Sequence, residues 1–179
     1  FASEHPVTTH GVSAYPAAVT AAMVQNFAAG GAAASVLCRN LGLPLRVVDV
    51  GVLEPIPGGD PDGVGMRDPA AALPAGDLRK AEAMPVETFR EALAAGRRAV
   101  DRLAEGTRLL VLGEMGIGNT TAASAVAAAL LHAPGEDLVG PGTGVGGDAL
   151  EKKRNVVADA LIALQNAGVS EPWEVLQRV

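Results

Sequence analysis

Apolar positions along the chain follow two different periods. Val19, Met23 and Phe27, then Ala34, Val36, Leu37 and Leu41 beyond Gly30-Gly31, recur every three or four residues. That spacing draws one stripe along an α-helix and predicts two helical segments after Pro16, with Gly42 suited to a C-terminal cap. Leu45-Arg46-Val47-Val48-Asp49-Val50 is a β-branched run with Asp49 near its end, short enough for a buried parallel strand. Residues 1–15 show no helical period and read as a strand end followed by a loop. Leu53 to Met84 is rich in proline and glycine and reads as a long irregular crossing loop. Pro85 to Gly106 returns to helix, with Phe89, Ala92, Leu93, Val100 and Leu103 on one stripe. A second short apolar run, Leu109 to Leu112, predicts another buried strand.

That strand opens at Gly113 into Glu114, Met115, Gly116, Ile117, Gly118, Asn119, Thr120 and Thr121, and then into an Ala-rich helix lasting to Leu131. Strand, glycine turn and helix start follow one another, with Asn119, Thr120 and Thr121 offering N-cap oxygens. A second glycine-rich turn, Gly140 to Gly147, precedes a helix that Asp148 would cap and that runs to about Gln165. Val169 to Val179 looks like the start of one more. The order predicts an α/β fold, a three-layer Rossmann-like parallel sheet flanked by helices, with residues 1–179 forming one domain. In such a sheet ligands sit beyond the C-terminal ends of the strands, where both glycine turns would meet.

The chemistry predicted there is anion binding. Glycines let backbone amides approach a ligand, and a helix N-terminus favours negative charge. On this reading a side chain at Gly118 would fill the space of the anion. A plain βα turn with a well-capped helix would give the same glycine pattern. Glu114 weighs against that, because a carboxylate at the end of a buried strand needs a partner or a task.

Charge and composition narrow the alternatives. A net charge of −6, no basic run longer than Lys152-Lys153-Arg154 and 3% aromatic residues speak against a nucleic-acid surface. The single Cys38 excludes a disulfide framework, and no unbroken apolar run nears the ~20 residues of a membrane span, so a cytoplasmic setting is expected. No GxSxG, Walker lysine or HExxH occurs. His5, His10 and His132 are scattered through loops, where hydrogen bonding is the expected role and no metal site is indicated.

Segments 10–34 (with GVSAYP), 46–53, 113–125 (with GEMGIGNTT) and 142–155 (with GTGVGG) closely resemble the nicotinate-nucleotide–dimethylbenzimidazole phosphoribosyltransferase family. The resemblance spans essentially the whole chain. It implies transfer of phosphoribose from nicotinate mononucleotide to a benzimidazole base, without a cofactor, in a homodimer. It also implies that the chain is a middle piece of an enzyme roughly twice as long, whose general base, a glutamate, comes from a C-terminal third outside it. Carried over residue by residue, Gly116, Gly118, Asn119, Thr120, Gly142, Thr143 and Gly144 would hold the 5′-phosphate and ribose, and Lys153 would reach the phosphate. Ser13, Tyr15 and Met23 would line the base pocket. Glu114 would face the ribose, where cleavage of an N-glycosidic bond builds positive charge. A non-catalytic nucleotide-binding module and a plain oligomerisation domain remain the rival readings.

Overall fold

The computed structural model describes residues 1–52, 64–67, 76–80 and 82–179, with residues 64–67 described by backbone. Their contacts fall into two compact units. One holds the described residues of Phe1–Ser3, Ala18–Pro74 and Arg90–Gly116, and the other those of Glu4–Ala17, Ala75–Phe89 and Ile117–Val179.

The first unit is built on a parallel sheet of β1 (Ala2–Ser3), β2 (Val47–Gly51) and β3 (Val64–Arg67), in the order β1-β2-β3. Central β2 pairs Asp49 with Ala2 on one side and Val47 with Val64 on the other. The double-sided apolar pattern of Val47 and Val48 suits that position, and both are buried. Asp49 is fully buried and ends the strand, its Oδ1 accepting the amides of Gly51 (3.0 Å) and Val52 (2.8 Å). Helix α1 (Val19–Ala28) packs Ala21 and Val24 with Ala2, Val47 and Val52. Gly42 closes α2 (Ala33–Leu41) in the left-handed conformation, as its position predicts. By length and hydropathy the stretch Val19–Leu41 could cross a membrane. It is nevertheless two helices, broken around Gly30 at φ +77°, and Thr20, Ala21 and Val24 are buried within the unit.

The α/β class with a parallel sheet is as the sequence predicts, but three local expectations fail. The run Leu109 to Leu112 forms no strand and lies exposed, from 46% at Leu110 to 83% at Val111. Its ladder to β1 starts only at Gly113, whose carbonyl accepts from the Phe1 amino group, while Met115 donates to Phe1 and Ser3 donates to Met115. Among the described residues, therefore, no strand lies opposite 109–112, and extended backbone without a partner gains nothing over solvated coil. Second, the crossing loop contains β3, because pairing with β2 satisfies a backbone whose Val-Gly-Met-Arg sequence shows no strand pattern; its residues 53–63, 68–75 and 81 lie outside the described ones. Third, α3 (Val86–Asp101) leaves Leu93 and Val100 exposed and buries Ala95 instead.

The second unit packs α4 (Asn119–Leu131), the short α5 (Gly135–Leu138), α6 (Gly147–Asn166) and α7 (Pro172–Arg178) around Val7, Val12, Ala125, Val139, Val157, Ala160 and Leu164. Small residues let these helices approach closely. A Cβ on Gly135 would stand 2.8 Å from Cγ1 of the fully buried Val157 and 3.2 Å from Leu161 Cδ1. A β-branched side chain in a filled core cannot swing away cheaply, so Gly135→Ala should destabilise by about 1–3 kcal/mol in urea unfolding. An unchanged unfolding midpoint would show that α5 can lift off α6 at no cost.

Candidate functional site

Helix α6 carries two adjacent lysines with opposite fates. Lys152 points to solvent, while Lys153 lies on the stripe of Val156, Val157, Ala160 and Leu164 and is 1% exposed. Its Nζ donates to Thr120 Oγ1 at 2.8 Å and to the Gly140 carbonyl at 3.0 Å. Thr120 belongs to the first turn of α4 and Gly140 to the second glycine turn, so one ammonium ties both turns together. Neither acceptor is charged, and among the described residues no carboxylate pairs with Lys153. Burial lowers its pKa. An ammonium has three protons to donate, and two acceptors leave one for a ligand. A buried cation without a charged partner among the described residues, beside the positive end of α4, favours a nearby negative charge.

The two turns use their glycines for different purposes. Gly142 has φ +53°, and a Cβ on it would lie 2.9 Å from Thr120 Oγ1 and 3.2 Å from Lys153 Nζ. Here the missing side chain lets the backbone pass directly over the ammonium. The turn is closed by the amides of Gly144 and Val145, which both donate to the Pro141 carbonyl, and Gly142, Thr143 and Gly144 are exposed. Gly118, at φ +98°, has its Cβ position occupied by Val7 Cγ1 and Thr8 Cγ2 at 3.0 Å and by His5 Cβ at 3.1 Å. The expectation that a ligand fills that space is thus corrected: the 3-10 turn Pro6–His10 fills it.

Helix capping also departs from the sequence reading. Gly118 itself is the N-cap of α4 and makes no side-chain bond, so Asn119 and Thr120 stand in the first turn. Thr120 spends its hydroxyl on Lys153, and the Thr120 carbonyl meets Ser124 Oγ at 2.8 Å. Gly146 occupies the cap of α6, in extended backbone, and Asp148 falls in the first turn, where its charge suits the helix dipole.

In the loop that follows the 3-10 turn, Ser13 is half-buried and its Oγ accepts the Tyr15 amide at 3.2 Å, while Tyr15 is 51% exposed. Met23, Glu114 and Gly116 belong to the first unit. Met23 is half-buried on α1 and Gly116 is buried. Glu114 is exposed rather than buried, because the strand expected to bury it does not form. Burial lowers the pKa of the Phe1 amino group, and the Glu114 charge opposes that effect.

Sequence reasoning missed Asp77, Arg79 and Ser124. His10 Nε2 and Arg79 Nη2 each lie 3.1 Å from Asp77 Oδ2. Burial raises the Asp77 pKa, but the bonds from the Arg79 side chain and amide and from His10 outweigh it and hold the carboxyl at about 2. A loop aspartate carries no periodic signal that would have marked it. Ser124, one helical turn after Thr120, was legible as an i+4 neighbour. Among the described residues no group of three or more His, Cys, Asp or Glu side chains could hold a metal ion.

Comparison with known proteins adds a family to this geometry. The phosphoribosyltransferase family matches residues 1–179. A nicotinate-nucleotide–dimethylbenzimidazole phosphoribosyltransferase of Azotobacter vinelandii is 47% identical over 180 residues, and one of Pseudomonas aeruginosa is 46% identical over 183. Each alignment covers 100% of this chain and 50% of the relative, so the chain spans about half their length. The crystal structure of CobT from Thermus thermophilus is 44% identical and superposes with a TM-score of 0.82, over 99% of this chain and 52% of that one.

The Asp77 contacts carry a pH signature. A carboxyl held at about 2, against an ordinary 3.8, adds stability that is present above the ordinary value and is lost as pH falls toward 2. Asp77→Asn should therefore flatten the acid side of a plot of unfolding midpoint against pH, between about pH 4 and pH 2, relative to the unmodified chain. Parallel curves would mean that Asp77 keeps its ion pair after unfolding or never forms it in solution.

Proposed function

The chain belongs to the phosphoribosyltransferase family, and on that footing we propose that it forms the nucleotide-binding part of an enzyme that moves phosphoribose from nicotinate mononucleotide to 5,6-dimethylbenzimidazole, releasing nicotinate and α-ribazole 5′-phosphate. The observation that carries this reading is the buried Lys153 ammonium, with one proton left to donate between two glycine turns. A dianionic 5′-phosphate supplies the missing charge and accepts that proton. The exposed Gly142, Thr143 and Gly144, with Asn119 and Thr120 in the first turn of α4, would surround its oxygens and the ribose. Gly116 and Gly118 keep the amide role that the resemblance gives them, while the absent side chain of Gly118 also leaves room for Val7 and Thr8.

In the reaction the bond from the ribose C1′ to the nicotinate ring nitrogen breaks and its electron pair leaves with nicotinate. A benzimidazole nitrogen bonds to C1′, and its other nitrogen gives up a proton to a general base. Positive charge accumulates on the sugar between these events, and by resemblance the Glu114 carboxylate would stabilise it. In the second unit, Ser13 and the exposed Tyr15 ring would offer the flat base a polar contact and a stacking surface. We propose that the enzyme acts in the cytoplasm as a homodimer.

A charge-assisted bond to phosphate typically contributes ~1.5–3 kcal/mol, or about 10- to 150-fold in affinity. Lys153→Met should lose about that much of the nicotinate mononucleotide affinity measured by calorimetry, with circular dichroism confirming the fold. Lys152→Ala, on the solvent side of α6, should stay within about twofold. Equal losses in both would indicate a diffuse basic surface. For the reaction itself, nicotinate release by a chain of the relatives' full length should depend on added dimethylbenzimidazole, and release that ignores the base would point to a hydrolase.

A further inference from the structure

Ser124 is 8% exposed and has two carbonyls within reach, that of Thr120 at 2.8 Å and that of Leu138 at 2.9 Å. The first is an ordinary back-bond within α4. The second spans fourteen residues and reaches the last residue of α5, two positions before Gly140, whose own carbonyl accepts from Lys153. A closed ring results, from Ser124 to Leu138, along the chain to Gly140, across Nζ to Thr120, and back along α4 to Ser124. A hydroxyl has one proton, so these two carbonyls share it.

With only neutral oxygens around it, the ammonium takes its direction from where those oxygens sit. Thr120 is held by its helix. Gly140 lies in an exposed turn and needs an anchor. We propose that Ser124 is a positioning residue that fixes the second glycine turn to α4 and so aims the free proton of Lys153 at the bound phosphate. This rests on the phosphate-binding reading of Lys153 above. Ser124 touches no substrate; it acts through the Gly140 and Thr120 acceptors.

The test uses the chain with ¹³Cε-labelled lysine, titrated by NMR, alongside calorimetry with inorganic phosphate and with nicotinate mononucleotide. Loss of one neutral hydrogen bond corresponds to about 2- to 12-fold. Ser124→Ala should weaken both ligands by that factor equally, and should move the Lys153 titration toward the ordinary lysine value as the turn lifts and water enters. Ser124→Thr, which keeps the hydroxyl, should restore both. If Ser124→Ala does not fold, Ser124→Cys, close in size but a poor donor, carries the same expectation. A variant that melts earlier yet keeps the wild-type affinities and Lys153 titration would overturn the proposal, since that is what a purely structural serine does. Should the unmodified chain bind neither ligand, the proposed function fails, and the Lys153 titration alone still decides whether Ser124 controls the ammonium.

Discussion

Everything around the candidate site follows from the burial of one ammonium group. Taking a lysine charge out of water costs several kcal/mol unless neighbours replace its hydration shell. Thr120 Oγ1 and the Gly140 carbonyl do part of this, and an anion would complete it. The rest of the second unit is arranged to make that placement possible. Val156, Val157 and Ala160 hold α6 so that Lys153 faces inward, Gly142 thins the turn above it, and Ser124 joins α4 to the residues leading into that turn.

Glycine in the two turns answers two separate constraints. At Gly142 the nearest atoms to an added Cβ belong to the polar site, and at Gly118 they belong to the apolar side chains of the 3-10 turn. The absent side chain leaves room for a polar group at one and for apolar packing at the other, although both have positive φ. A glycine-rich motif is thus a composite, and only its neighbours tell which part touches ligand.

In the first unit, the sheet shows how far strand formation depends on what lies opposite. Val47 and Val48 become a strand between β1 and β3, and Val64–Arg67 does so with little pattern of its own, because each finds a parallel neighbour. Leu109 to Leu112 has the stronger strand composition, yet its pairing with β1 begins only at Gly113. Its four large side chains stay in solvent. That is a large apolar area for one short segment.

The sequence alone determined what local physics controls. Helix periodicity located α1, α2 and α3, the glycine turns and the Ala-rich run and Asp148 that follow them located α4 and α6, the composition of 45–50 located β2, and Gly42 marked a helix end. Local signals suffice there because a helix satisfies its backbone within itself and a left-handed turn is decided by one residue. Tertiary structure alone decided the strand status of 109–112 and 64–67, the exposure of Glu114, the packing role of Gly118, and the pairings of His10 with Asp77 and of Ser124 with Leu138. Each depends on a group far along the chain, and the energy of a strand pair or a buried hydrogen bond resides in that partner. Even the difference between Lys152 and Lys153 is of this kind: a helix sets them about 100° apart, but only the packed core decides which of the two loses its water.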